Sequence, residues 1–186
     1  MLPWPLSLAK SAGIPIFSSP YDPNWIVVRS KTGKPDEFDG LSTLSWTENG
    51  AWKTVSIRAA TRPGTYYLQN PMNANGTAVV LPGRNRLSHR LGLHQGKTPA
   101  LVQFNEVLVR RDNDRDVILD PADGTWDDAS GINHHECSDP RYLAGCIGSP
   151  KDQLTVLLDA YRHIQEQRVR LKLPSQPLIS LTLVEV

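Results

Sequence analysis

The chain has 186 residues with 20 Lys and Arg against 19 Asp and Glu, a formal net charge of +1, so it lacks the basic footprint of a dedicated nucleic-acid binder. That length suits one domain burying roughly two thirds of its unfolded surface, and no apolar window approaches the ~18 residues of a transmembrane helix. Fifteen prolines and thirteen glycines spread along the chain predict many short elements joined by turns and argue against a helical bundle.

In chain order, "MLPWPLSLAK" is broken by two prolines and has no basic run before it, so it does not read as a secretion signal and predicts a soluble protein made in a cytoplasm. "PLSLAKSAG" predicts a short helix from Pro5 capped by Gly13, followed by strands at "PIF" and "NWIVVRS". "LSTLSWTENGAWKTVSIRAAT" predicts a hairpin, with Asn49-Gly50 supplying the positive backbone angles of a tight turn. Further strands are predicted over residues 66–69, 77–81, 100–104 and 107–111. The period then changes in "SPKDQLTVLLDAYRHIQEQ": with Ser149 as N-cap and Pro150 opening the helix, Leu154, Leu157, Leu158, Tyr161 and Ile164 fall on one face of a helix over about 150–167. Pro174 and Pro177 separate it from an alternating terminal strand, "LISLTLVEV". The expected fold is mainly β (α+β), a curved sheet or open barrel in one domain over 1–186: an N-terminal helix and extension (1–24), a β-rich body (25–149), and a helix with terminal strand (150–186).

The stretch "SGINHHECSDPRYLAGCIGSP" gathers both cysteines and two of the five histidines. A cysteine nucleophile needs a thiolate, a base and backbone N–H groups for the oxyanion. Gly145 lets the backbone approach a substrate closely, Cys146 precedes the predicted helix N-terminus, whose dipole favours a thiolate with a lowered pKa, and His135 or His134 can serve as base. The residues alone leave three other readings open: an inert buried Cys146, a Cys137–Cys146 disulfide, or zinc held by His134 or His135 with Cys137 and Cys146. "HHEC" lacks the histidine spacing of a helical metalloprotease and any C-x-x-C knuckle, so no metal is expected.

At these residues the chain resembles the L,D-transpeptidase catalytic domain family, whose motif is a histidine in a "GIH"-like strand followed by "S-x-G-C"; here "GINHH" and "LAGCI" stand in those places, and "TRPGTYYL" resembles the family's "TPxG" turn. It resembles more closely a set of bacteriophage and prophage proteins with that type of domain. Their pattern "VRS", "PGxYYLxxPMNxxG", "LGLHxGKxPALVQ", "VxRDxxxDxxLD", "GINxH" and "GC" runs here from about Val28 to Ile147, some 120 residues. The resemblance implies an L,D-transpeptidase-like fold, Cys146 as nucleophile, His135 as base, and Gly145 with Cys146 as the oxyanion-holding backbone. Leu143 stands where the family's serine would be, removing a polar group near the thiol, and the interval from His135 to Cys146 is shorter than in many cellular members, as a smaller lid would require.

The implied activity is attack on peptidoglycan stem peptides through a Cys thioester, with hydrolysis or transpeptidation to follow and no cofactor. The implied setting is a phage protein made in the host cytoplasm without a signal peptide, then associated with the virion or acting on the cell wall. The alternative is a non-catalytic tail or baseplate protein retaining the fold, its partners other phage structural proteins; neither nucleic acid nor membrane is an expected partner. His94, in "LGLHQGK", is an accessory candidate beside His134, with a backbone-satisfied strand histidine as the competing reading. Asp112, Asp114, Asp116 and Asp120 alternate as in calcium loops but lack the glycine and terminal glutamate of a helix-loop-helix site, so a solvated turn positioning Arg111 is expected. Trp25, Trp46, Trp52, Tyr66 and Tyr67 are read as core or cross-strand aromatics rather than a sugar-binding groove.

Overall fold

A computed structural model describes residues 1–186. The elements are α1 (Trp4–Ser11), β1 (Asn24–Arg29), β2 (Gly40–Glu48), β3 (Ala51–Ala59), α2 (Thr65–Gln69), β4 (Ala78–Val80), β5 (Gly83–His94), β6 (Thr98–Gln103), β7 (Val107–Arg111), β8 (Gly124–Asp128), β9 (His134–Glu136), β10 (Ile147–Ser149), α3 (Lys151–Arg170) and β11 (Ile179–Glu185). Eight strands form one sheet in the order β10-β9-β6-β5-β11-β1-β2-β3, and β4-β7-β8 form a second. The large sheet curls far enough for its edges to meet where Ala60, just past β3, exchanges backbone hydrogen bonds with Gly148 of β10, at 2.7 and 3.0 Å. The fold is thus mainly β, as expected, with a curled half-barrel sheet.

The terminal strand lies inside the sheet, parallel to β1 with Trp25 opposite Leu181 and Val27 opposite Leu183. A strand covered on both faces carries apolar residues without alternation, and every residue of β1 is buried. Its pleat divides the core. Trp25 and Val27 join Leu44, Leu101, Leu181, Leu183 and the α3 side chains Leu154, Leu157, Leu158, Tyr161 and Ile164 in the main cluster. Ile26 and Val28 point the other way, against Leu6 and Ala9 of α1.

Several expectations are corrected. Residues 15–17 are not a strand, because Pro15 lacks an N–H and the Asn24 side chain takes both backbone groups of Phe17 at 2.8 Å. Residues 66–69 are helical: Gly64 lies hard against the Arg141 carbonyl, and the Asp36 carboxylate accepts from the N–H and hydroxyl of Thr65 at the first turn. Strand β5 escaped prediction because its inward positions include Asn85, Ser88 and His89, which are polar, and β8 because it reads "GTWDD". Ser149 does not cap α3. It ends β10 and donates its hydroxyl to the Arg58 carbonyl at 2.7 Å, while Pro150 is the N-cap, without a side-chain bond. The helix continues to Arg170 because buried Arg168 donates to the carbonyls of Tyr21 at 2.9 Å and Pro174 at 2.8 Å.

The main cluster makes a direct prediction. Leu157 is wholly buried, whereas Val156 beside it is 54% exposed, so Leu157→Ala is expected to lower unfolding stability by about 2–5 kcal/mol and Val156→Ala by less than about 0.5 kcal/mol in urea denaturation.

Candidate functional site

Strand β9 is three residues long and parallel to β10, with Ile147 opposite His134 and Gly148 opposite His135. Successive side chains of a strand point to opposite faces, so the two histidines part. His134 goes into the core, unexposed and stacked on Trp25 with ring centroids 5.7 Å apart. Its Nε2 donates to Ser149 Oγ at 2.9 Å, since that hydroxyl spends its own proton on Arg58, and its Nδ1 has no partner. His134 therefore cannot be the base or an accessory group of the cleft. His135 faces the other way, into a cleft of about 450 Å³ lined also by Tyr67, His94, Arg111, Asn133 and Cys146.

In that cleft the sequence candidates converge. The Cys146 Sγ and one ring nitrogen each of His94 and His135 lie within 4.8 Å of one another, and the two imidazoles stack with centroids 3.9 Å apart and planes 9° from parallel. Hydrogen bonds set their tautomers. Asn133 Oδ1 accepts from the Gln103 N–H at 2.8 Å, which turns its Nδ2 toward His94 Nδ1 at 2.9 Å. His94 Nδ1 must then accept, so its proton sits on Nε2. His135 Nδ1 faces the Glu136 carbonyl at 2.7 Å, so it carries the proton and Nε2 is left as the basic atom. These tautomers suit a base and a donor. They do not suit a zinc ion bridging both rings and the thiol, because His94 offers no free lone pair.

Cys146 donates to the Gly131 carbonyl at 3.5 Å and accepts from the Asn133 N–H at 3.4 Å. Burial raises its pKa to about 11, against the lowering effect of the Asn133 N–H. The expected depressed pKa is thus overturned: the thiol is desolvated, and β10 separates Cys146 from the start of α3 along the chain. Burial also lowers the His135 pKa to about 4, with the His94 ring adding to the effect. The resting pair is a neutral thiol beside a neutral imidazole.

Gly145 has φ of +105°, and a Cβ there would meet the Ala78 carbonyl at 2.7 Å, so only glycine fits. The backbone N–H groups of Ala144, Gly145 and Cys146 donate to no protein group. The segment is held from behind, where the Gly64 N–H of "TRPGT" donates to the Leu143 carbonyl at 2.8 Å. Leu143 itself is buried in a small cluster with Ala60 and Cys137, against which Cys146 packs, so this side of the thiol is lined by apolar groups. Cys137 and Cys146 are both free, and Cys137 lies outside the cleft lining, which removes the disulfide and the zinc set containing both.

Four cleft residues, Asn133, Arg111, Tyr67 and Tyr142, were not placed at the site from sequence. Asn133 orients His94 and touches the sulfur, and it stands in the quoted "GINHH". Arg111 is buried in the cleft wall by an ion pair with Asp128, a bond to the Gly76 carbonyl at 2.6 Å and one to Ser130 Oγ at 3.2 Å; Asp128, not the aspartates after it, positions Arg111. Tyr67 and Tyr142 line the cleft, so Tyr67 is not a core aromatic, while Tyr66 is 48% exposed. No protein-family model, curated protein or solved structure matches the chain.

Two measurements follow from the site. Alkylation of Cys146 by iodoacetamide is expected to accelerate with pH through a midpoint well above the ordinary thiol value of about 8.5, toward 11; a midpoint near 6 would reveal a preformed thiolate–imidazolium pair instead. Burial also holds His89 at about 4 and His134 at about 3. Unfolding returns each to about 6.5, so between pH 6.5 and 4 the unfolded chain binds more protons. Stability should fall as pH drops through that window, by roughly 1.4 kcal/mol per unit for each histidine. Urea midpoints from pH 7.5 to 4.5 measure this, and His134→Gln should flatten the slope.

Proposed function

We propose that the chain is a peptidoglycan-modifying cysteine enzyme of the L,D-transpeptidase-like kind, in its phage version, acting on stem peptides through Cys146. The observation carrying this reading is the convergence of Cys146 and a correctly tautomerised His135 in one open cleft, with Gly145, at φ of +105°, immediately before the thiol in the chain. Because thiol and imidazole are both neutral at rest, His135 acts as general base during attack rather than by holding a thiolate in advance. As Sγ bonds to the carbonyl carbon beside a D-amino acid, the thiol proton passes to His135 Nε2 and the carbonyl oxygen becomes an oxyanion facing the unpaired backbone N–H groups of the Gly145 segment. Collapse expels the amine, which takes the proton back from His135 and leaves a thioester. Water then completes hydrolysis, or an acceptor amine completes transfer. Hydrolysis is the outcome a phage needs, and the setting is the virion or the cell wall.

The rival reading is a tail or baseplate protein that keeps this fold without catalysis, and the raised Cys146 pKa favours it. Incubation with purified peptidoglycan and mass spectrometry of the soluble products separates the two. The enzyme should release peptide fragments, Cys146→Ser should release none, and His135→Ala should be slower by about 10²–10⁴-fold with an unchanged melting curve. His134→Ala should instead lower the melting temperature. Activity should persist from pH 9 down to about 5 and fail as His135 protonates near 4. Intact peptidoglycan throughout that range, with tight binding to phage structural proteins, would establish the scaffold.

A further inference from the structure

The loop joining β7 to β8 carries Asp112, Asp114, Asp116, Asp120 and Asp123, and none of these has a part in the cleft chemistry. One carboxylate oxygen each of Asp112, Asp114 and Asp116 lies within 4.8 Å of the others. The three side chains use their oxygens in the same way. Asp112 Oδ2 accepts from the Val117 N–H at 3.2 Å, Asp114 Oδ1 from Asp116 at 3.2 Å, and Asp116 Oδ1 from Ile118 at 2.7 Å. The second oxygen of each has no protein donor. For the two exposed aspartates that is unremarkable. Asp112, however, is only 1% exposed, and its Oδ1 is buried without a partner. A carboxylate oxygen removed from water and left unpaired costs a large desolvation penalty, and no Lys or Arg pairs with these three groups to offset it.

We propose that this loop is a calcium site, with Asp112, Asp114 and Asp116 as carboxylate ligands and water completing the shell. An all-oxygen, carboxylate-rich set selects a hard cation, and a surface loop with an irregular donor arrangement suits the flexible six- to eight-fold coordination of calcium better than the strict octahedron of magnesium. The spacing agrees. Counting Asp112 as the first position, aspartates occupy the first, third, fifth, ninth and twelfth, and Val117 at the sixth adopts φ of +66°, the sharp turn that glycine makes in calcium loops. Asp123 at the twelfth is a brace, not a ligand: its two oxygens accept from Asn113 at 3.2 Å and Asp120 at 2.9 Å, tying the loop ends together. Burial and the Asp123 charge raise the Asp112 pKa, so a proton on Oδ1 is the competing occupant.

Calorimetric titration of the full chain, stripped with EDTA, with calcium chloride at pH 7 decides between them. One saturable site is expected with Kd on the order of 10⁻⁴–10⁻³ M, and saturating calcium should raise the melting temperature by roughly 5–10 °C. Asp114→Asn and Asp116→Asn, at exposed positions where the Oδ1 acceptor is kept, should each weaken binding at least tenfold, while Asp127→Asn, exposed on β8, should leave it unchanged. No saturable heat and no thermal shift would assign Asp112 to a proton and overturn the site. So would equal shifts from magnesium, or shifts surviving in the Asp114 and Asp116 variants.

Discussion

The register of β9 against β10 decides which histidine can reach Cys146. Three residue pairs fix it, and a slip of one position would bring His134 into the cleft and send His135 into the core. The slip is opposed from the core side. Trp25 is gripped between His134, stacked on its face, and His89, edge-on at 4.9 Å, while its Nε1 donates to Ser42 Oγ at 2.9 Å. His89 in turn bonds the Ile132 carbonyl at 2.7 Å, so the same buried cluster that anchors the sheet holds the 131–133 backbone, and with it the Asn133 N–H that reaches the sulfur. The residue that reads as a spare base is therefore the one that keeps the real candidate in place.

How much of this was legible follows from what each element buries. The Asn49-Gly50 hairpin and α3 could be read because turn chemistry and a 3.6-residue apolar period are local signals. Strand β5 could not, since its core-facing Ser88 and His89 are satisfied by partners remote in sequence: Ser88 Oγ accepts from Leu181 at 3.1 Å and His89 reaches Ile132. The end of α3 was missed for the same reason, because Arg168 is buried by carbonyls outside the helix. At the site, the choice of His135 over His134 came from a resemblance and agrees with the pleat. The thiol's electrostatics went the other way, because they depend on burial and on a helix start that lay five residues beyond Cys146 rather than beside it.

The neutral pair constrains the chemistry as much as the geometry does. Burial raises the thiol pKa and lowers the imidazole pKa, so both shifts oppose proton transfer between the two groups at rest. Under the proposed enzymatic reading, attack would therefore be driven by a substrate carbonyl, whose arrival would displace the Sγ bond to the Gly131 carbonyl and take up the charge as an oxyanion. On that reading the raised thiol pKa also slows reaction with small electrophiles at neutral pH.

The cleft wall and the aspartate loop share one structural element. Gly76 has φ of +87°, lines the cleft, accepts from Arg111, and lies so close to the Asp112 carbonyl that a Cβ would collide with it. Arg111 and Asp112 are adjacent, one turned to the cleft and the other to the loop, and both are buried. Asp112 is thus one residue from the Arg111–Asp128 pair, which holds Arg111 in the cleft lining. Under the calcium proposal an ion at Asp112 would therefore act on the Arg111 side of the cleft before it acted on the thiol.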